Sequence, residues 1–148
     1  MEHIPGRRRE DTAFIDKTIE IAADVREVYK VWTAFEDYPK FMETIETVTL
    51  AQADRLHWVA VIEDETCEWD ADLVEHVADE KVTWRAIDGR ETGEVRFEKL
   101  AADKTRVTYQ LEYDAAAWEG NADAVHRWMN RRVDDDLDNF KQLLEALA

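Results

Sequence analysis

The sequence contains no serine and only one cysteine. The lack of serine excludes every mechanism that depends on a serine nucleophile. The lone cysteine, Cys67, cannot form an internal disulfide. Neither a Gly-x-Gly-x-x-Gly fingerprint nor a P-loop is present. The four histidines are widely spaced, and none belongs to a His-Glu-x-x-His or Cys-x-x-Cys pattern, so we predict no metal site and no cofactor.

Long apolar runs are also missing. No stretch approaches the roughly 20 apolar residues that a membrane-spanning helix needs. Residues 1–9 have no apolar region after their charges, which argues against a secretory signal. We therefore expect a cytoplasmic protein that does not insert into membranes.

Basic residues are scarce: 19 Lys and Arg face 35 Asp and Glu, for a formal net charge of −16. Nucleic acids and anionic membranes need a cationic surface, so neither is an expected partner. The run Arg7-Arg8-Arg9 is an exception and precedes any periodic segment. We predict a flexible N-terminal arm over residues 1–13 and a single domain over residues 14–148.

The first periodic segment alternates apolar and polar residues from Ile15 to Ile21, which predicts a strand. Asp24 then occupies an N-cap position, and Glu27 follows three residues later, as in a capping box. The apolar spacing of residues 25–32 predicts a helix. Pro39 is expected to end or interrupt this region, with Phe41 and Met42 in a second short helix.

From about residue 44 to residue 116 the period changes to two, in six segments separated by short turn-like clusters. Short connections imply antiparallel neighbours. A helical pattern then covers residues 122–147, long enough to cross the whole sheet. The predicted class is α+β: a seven-stranded curved antiparallel sheet around a long C-terminal helix, with two short helices after the first strand.

The turn positions predict which residues face each other across the strands. A turn at residues 64–65 places Ala60 opposite Trp69 and Trp58 opposite Ala71. The next loops predict the pairs Trp84–Val95, Val82–Phe97, Arg85–Glu94, Phe97–Tyr109, Val95–Leu111 and Gly93–Tyr113. One face of the sheet is then apolar and the other charged. The apolar face needs a cover, and the helix offers Val125, Met129, Val133, Leu137, Phe140, Leu143, Leu144 and Leu147.

Several local segments, taken with this order of elements, match a known family: residues 28–42, 68–71, 82–85, 88–89, 93–97, 105–108 and 136–141. On these segments the chain resembles the START-like, birch-allergen-like superfamily, whose architecture is the helix-grip fold. It is most similar to the cyclase/dehydrase-like branch that includes polyketide aromatase/cyclases. The resemblance covers nearly the whole chain from about Phe14.

The resemblance implies a cavity between sheet and helix for an apolar or aromatic molecule. Ring-closing members of the family carry an arginine on the strand after the Glu-Trp pair and a tyrosine after the proline-containing turn. The matching positions here are Leu73 and Ile45. We therefore assign no catalytic residue on this basis.

The predicted inner wall consists of aromatic and small residues and carries no Asp, Glu, Lys, Arg or His. Such a wall suits recognition of a mostly apolar ligand, although aromatic residues are also ordinary core material. The predicted ligand-binding residues are Trp58, Trp69, Leu73, Trp84, Phe97, Tyr109, Tyr113, Met129 and Asp136.

Two helix residues carry possible chemistry. Asp136 falls inside the apolar stripe, where a carboxylate is costly unless paired, and Arg132 lies one turn back. It either makes a structural hydrogen bond or anchors a polar group of the ligand. His126, at the edge of the stripe, is the best proton-transfer candidate by residue type, but the sequence supplies it with no partner.

Three functions remain open. The first is binding or carriage of a hydrophobic small molecule, such as a lipid, quinone or polyketide, by a monomer or homodimer. The second is an aromatase, cyclase or dehydratase acting on a polyketide-like substrate. The third is a protein-interaction domain whose cavity is filled.

Overall fold

The computed structural model describes residues 12–52, 54–62, 64–118 and 122–147. The predicted arm lies outside these residues, except for Thr12 and Ala13, which begin the first strand. The helices are α1 (Val25–Trp32) and α2 (Ala122–Leu147), with short 3₁₀ helices at Phe35–Lys40 and Ala115–Ala117. The strands are β1 (Thr12–Ile21), β2 (Ile45–Gln52), β3 (Arg55–Ile62), β4 (Glu65–Val77), β5 (Lys81–Ala86), β6 (Glu91–Ala101) and β7 (Lys104–Asp114).

The seven strands form one curved antiparallel sheet in the order β1-β7-β6-β5-β4-β3-β2. α2 covers the apolar face of this sheet, and its bounds agree with the predicted helix. The helix-grip prediction is therefore confirmed.

The segment between β1 and β2 follows local sequence signals. The Asp24 carboxylate caps α1 by accepting a hydrogen bond from the backbone N–H of Arg26. The second short helix is displaced from its predicted position: it contains Pro39 and ends at Lys40, so Phe41 and Met42 follow it. Pro39 occupies the second position of a turn closed by the hydrogen bond from the Phe41 N–H to the Tyr38 carbonyl, a position that proline favours. The side chains of Phe41 and Met42 are buried in the core.

The inner and outer faces of the sheet are as predicted. All the residues assigned to the inner face are buried, apart from the half-buried Leu73. The prediction of the apolar helix stripe is wrong at one residue: Leu147, in the last turn of α2, is 62% exposed. The helix outruns the sheet there and leaves its final leucine in solvent.

The predicted register, in contrast, is wrong by two residues in each of the three hairpins. Trp58 lies opposite Trp69, and Ala60 opposite Cys67, because the turn comes before Glu65 and uses Asp64 at φ 73°. β6 and β7 are joined by a shorter loop than predicted, with a bulge between Lys99 and Ala101. The observed pairs that replace the others are Leu56–Ala71, Trp84–Gly93, Val82–Val95, Arg85–Thr92, Thr83–Glu94, Phe97–Val107, Val95–Tyr109 and Gly93–Leu111.

Gly93 is a point of close approach between β6 and the aromatic interior. The Trp84 indole lies directly over it, and a Cβ built on Gly93 would lie only 2.7 Å from Cη2 of that ring. Real Cβ atoms do not come so near a carbon, so only glycine accommodates this indole. The space above Gly93 is therefore filled by Trp84 and is not available to a ligand.

Candidate functional site

A small chamber lies between the sheet, α2 and the segment that follows α1. Its volume is about 10 Å³, which is the space of a single water molecule. Aromatic rings make up most of its wall, and one charged side chain, Arg132, contributes to it. The lining residues are Trp32, Phe35, Tyr38, Met42, Leu56, Trp58, Leu73, Trp84, Tyr109 and Arg132.

Four tryptophans at one side of the chamber form a group that we call the tryptophan cage: Trp58, Trp69, Trp118 and Trp128. Trp58 and Trp69 are stacked at 5.7 Å between ring centroids, and Trp118 approaches Trp69 edge-on at 4.7 Å. Trp128 follows at 5.3 Å from Trp118. The four side chains come from β3, β4, the segment before α2, and α2 itself.

Two guanidinium groups are packed on the faces of this cage. Arg132 Cζ lies 5.0 Å from the centroid of Trp128 and 6.0 Å from that of Trp58, which closes the ring. Arg90 Cζ lies 4.9 Å from Trp118 and 5.5 Å from Trp69. These are cation–π distances, and both arginines are buried.

Arg132 is also the centre of a buried charge cluster. Its Nη1 lies 3.8 Å from Oε1 of Glu91, and its Nε lies 3.6 Å from Oδ2 of Asp136. The other carboxylate oxygen of Glu91 accepts a 3.0 Å hydrogen bond from the Trp84 indole N–H. We call Glu91, Arg132 and Asp136 the buried triad. The expectation of an inner wall free of charged groups is therefore wrong, while the predicted burial and Arg132 pairing of Asp136 are confirmed.

Burial is the main influence on the pKa of Asp136. Loss of solvation raises the pKa of Asp136 from 3.8 to about 7, although Arg132 acts in the opposite direction. Asp135 and Glu43 add like-charge repulsion and raise the pKa further. Asp136 thus changes charge near neutral pH, which is unusual for an aspartate.

This shift predicts a pH dependence that Asp136→Asn removes. The folded-state pKa lies above the unfolded value, so Asp136 makes the protein less stable as pH rises from about 4 to about 7. Below that window both states are protonated, and above it both are ionised. The variant is therefore expected to gain stability over the wild type progressively across the window and to hold that gain at higher pH.

Urea unfolding at a series of pH values measures this difference. Asp138→Asn is the matched control, because Asp138 is an exposed aspartate of the same helix. A stability difference between Asp136→Asn and wild type that stays constant from pH 4 to pH 7 would contradict the raised pKa.

A surface cleft of about 290 Å³ also has Arg132 in its wall. Arg132 and Asp136 of the triad and Trp128 of the cage all line this cleft. Arg132 is the one residue that the linings of the cleft and the chamber share. The cleft is lined by Glu43, Thr44, Val61, Arg127, Trp128, Arg131, Arg132, Asp135 and Asp136.

The predicted ligand-binding residues are distributed unevenly around these two spaces. Trp58, Leu73, Trp84 and Tyr109 line the chamber, and Asp136 lines the cleft. Trp69 belongs to the cage, and Met129 contacts Arg132 through its sulfur, 3.8 Å from Nη1. Neither of these two belongs to the lining of the chamber or the cleft, and the same holds for the remaining two, Phe97 and Tyr113.

Phe97 packs edge-on against Tyr29, at 5.4 Å between centroids. The Tyr113 hydroxyl is hydrogen-bonded to His126, with 2.6 Å between the hydroxyl oxygen and Nδ1 of the imidazole. The structure thus supplies His126 with the partner that the sequence did not reveal. Neither residue of this pair lines the chamber or the cleft.

The sequence interpretation missed Glu91, Arg90, Trp118 and Trp128 as parts of the site. Glu91 shares the strand parity of Gly93, Val95 and Phe97, and that alternation was a usable signal for an inward carboxylate. Arg90 and Trp118 lie in connecting segments, where no periodicity indicates direction.

Two negative findings apply to the described residues. Within them, no group of three or more His, Cys, Asp or Glu side chains is arranged to hold a metal ion. In the same part of the chain, neither helix is long and apolar enough to cross a membrane.

Comparison with known proteins gives matches over nearly the full length. Residues 12–145 match the family model described as polyketide cyclase / dehydrase and lipid transport. An uncharacterized 17.2 kDa protein of Streptomyces lincolnensis is 29% identical over 133 residues, which cover 88% of this chain and 89% of that protein.

Two solved structures show the same fold. A START superfamily protein from Mycobacterium smegmatis has a TM-score of 0.77 and 14% identity, covering 91% of this chain and 99% of its own. The Zhui aromatase/cyclase from Streptomyces sp. R1128 has a TM-score of 0.69 and 14% identity, covering 91% and 92%. Together with the family match, these likenesses confirm the predicted branch of the superfamily: the chain belongs to the polyketide cyclase / dehydrase and lipid transport family.

Proposed function

We propose that this protein binds a small, mostly apolar molecule in a site made of the cleft and the chamber together. The observation that carries this proposal is the position of Arg132. Its guanidinium lies between Trp58, which lines the chamber, and Trp128, which lines the cleft. Movement of this one side chain joins the two spaces.

The volumes support a site that opens on binding. The cleft alone, at about 290 Å³, reaches the lower end of the roughly 300–1,000 Å³ typical of ligand pockets. The chamber, at about 10 Å³, admits no ligand until its wall moves. A ligand that takes the place of the Arg132 guanidinium packs on the faces of Trp58 and Trp128 in its stead. The apolar surface that it buries there stabilises the complex by about 25 cal/mol per Å².

The test is binding by a variant whose cleft is filled. Val61 lines the cleft, and Val59 lies two residues away on the same strand face with similar partial burial. We expect Val61→Trp to weaken binding of 1-anilinonaphthalene-8-sulfonate about tenfold or more, and Val59→Trp to leave it unchanged. Native mass spectrometry of freshly purified protein measures whether a cellular ligand is lost in parallel.

The proposal is contradicted if wild-type protein shows no saturable binding of the dye or of a broad set of lipids, quinones and aromatic polyketides. Equal effects of the two valine variants would place the ligand elsewhere.

A second candidate function is catalysis of the aromatase, cyclase or dehydratase type. Asp136 favours it, because a carboxyl group with a pKa of about 7 that lines a cleft is suited to general acid–base work at neutral pH. Turnover of a polyketide substrate that Asp136→Asn abolishes, without loss of binding, would support catalysis. Binding with no product formed would leave the carrier function.

A further inference from the structure

The tryptophan cage presents hydrogen-bond donors that have no acceptor among the described residues. The indole nitrogens of Trp58, Trp69, Trp118 and Trp128 are all buried, and none has a hydrogen-bond partner among the described residues. Nη1 of Arg90, which packs on two of these rings, is in the same condition. Trp84, outside the cage, differs because its indole N–H is bonded to Glu91.

Such a group of donors is costly if it stays unsatisfied. A buried polar group without a partner costs about 1–3 kcal/mol, and native proteins contain few of them. Here five lie together in a group that adjoins both the chamber and the cleft, through Trp58 and Trp128. Every one of these five is a donor, so a partner for them must supply acceptors. The unpartnered carboxylate oxygen nearby, Glu91 Oε1, faces the Arg132 guanidinium at 3.8 Å.

The charges around the cage point in the same direction. Arg90 and Arg132 occupy faces of the indole rings, where a cationic ligand would otherwise bind. Asp88 binds Arg90 on its outer side through Nε and Nη2, which leaves Nη1 directed elsewhere. A cationic ligand would be repelled by the two guanidinium groups, and a pure hydrocarbon would leave all five donors unsatisfied.

We propose that the cage recognises oxygen acceptors on a planar aromatic ligand, namely its carbonyl, carboxylate or phenolate groups. This inference rests on the proposed function and specifies the ligand class. The ring system lies among the indoles, and its oxygens accept hydrogen bonds from indole N–H groups and from Arg90.

Three ligands with the same ring system separate the contributions. 2-Acetylnaphthalene carries a neutral carbonyl, 2-naphthoate carries a carboxylate, and 2-ethylnaphthalene has the shape of the first without its oxygen. We expect 2-acetylnaphthalene or 2-naphthoate to bind about tenfold or more tightly than 2-ethylnaphthalene in calorimetric titrations, since one hydrogen bond is worth about that factor. The difference between the two oxygen ligands shows whether charge is also recognised.

The indole N–H resonances of ¹⁵N-labelled protein provide a direct readout. The chain has six tryptophans. Because one carbonyl oxygen accepts at most two hydrogen bonds, 2-acetylnaphthalene should shift the signals of one or two cage indoles downfield while that of Trp84 stays in place. Trp118→Phe and Trp128→Phe keep an aromatic ring but remove one donor each. Both should reduce the preference for 2-acetylnaphthalene over 2-ethylnaphthalene. Tyr29→Phe also keeps an aromatic ring and removes one donor, but Tyr29 lies outside the chamber, the cleft and the cage, so this variant should leave the preference intact.

Equal affinities for all three ligands would overturn acceptor recognition while leaving the proposed binding function standing. Binding of none of them would count against both. Tight binding of an oxygen ligand with unchanged cage resonances would also overturn the assignment. This measurement uses wild-type protein, so it does not depend on whether a variant folds.

Discussion

Replacing Arg132 with methionine is expected to lower the free energy of unfolding by about 3–5 kcal/mol, the usual cost of removing one partner from a buried charge cluster. The variant keeps much of the apolar stem of Arg132 but leaves Glu91 and Asp136 without their cation. It also removes the cation that packs on Trp58 and Trp128. Urea unfolding monitored by far-ultraviolet circular dichroism measures the loss.

The control neutralises the whole triad. In Glu91→Gln/Arg132→Met/Asp136→Asn no charge of the triad remains buried, and the amide oxygen introduced at position 91 still accepts a hydrogen bond from the Trp84 indole. We expect this variant to recover most of the stability lost in Arg132→Met. If both variants unfold at the same urea concentration, the loss comes from packing and not from uncompensated charge.

The substitution Gly93→Ala is expected to destabilise the protein by about 3 kcal/mol, a large effect for one methyl group. The new Cβ overlaps the Trp84 indole, so that ring must move. Overpacking of this kind costs about 1–3 kcal/mol, and displacement of Trp84 also weakens its hydrogen bond to the buried Glu91 carboxylate. Thermal unfolding and near-ultraviolet circular dichroism together report the loss and the ring movement.

A second substitution separates this clash from the loss of glycine itself. Trp84→Phe removes the part of the indole that lies over Gly93, and the double variant Gly93→Ala/Trp84→Phe is expected to be more stable than the sum of the two single effects predicts. Strict additivity would show that the alanine acts through the backbone of β6 and not through Trp84.

The architecture was predictable because it depends on the period at which apolar residues recur and on which face of the sheet alternate residues occupy. Alternation along β3 to β7 assigns each side chain to one face, and a register error of two residues leaves that assignment intact. For this reason Trp58, Trp69 and Trp84 were placed correctly on the inner face, although each was given the wrong neighbour. The errors came from the turns. In the first of them Ile62 already pairs with Glu65, so the turn is centred one residue before the predicted position, and Asp64 within it adopts a left-handed conformation.

The candidate site was only partly predictable, because its polar members break the apolar pattern that identifies a core. Arg132 and Glu91 are charged residues at buried positions, and their pairing joins α2 to β6 across a long stretch of chain. Arg90 and Trp118 approach the cage from connecting segments whose direction only tertiary packing determines. The closed state of the chamber likewise depends on side-chain volumes and ring orientations that no linear pattern encodes.

The pairing of β1 with β7 has a consequence for how the chain folds during synthesis. Thr18 and Thr108 are neighbours in the sheet although they lie 90 positions apart. The hairpins from β2 to β7 form between strands that are adjacent in sequence, whereas β1 has to wait until β7 has been made. Long-range pairing of this kind slows folding to about milliseconds or longer. The strand of this sheet that is synthesised first is therefore among the last to be incorporated, and completion of the sheet is a late event in the life of the nascent chain.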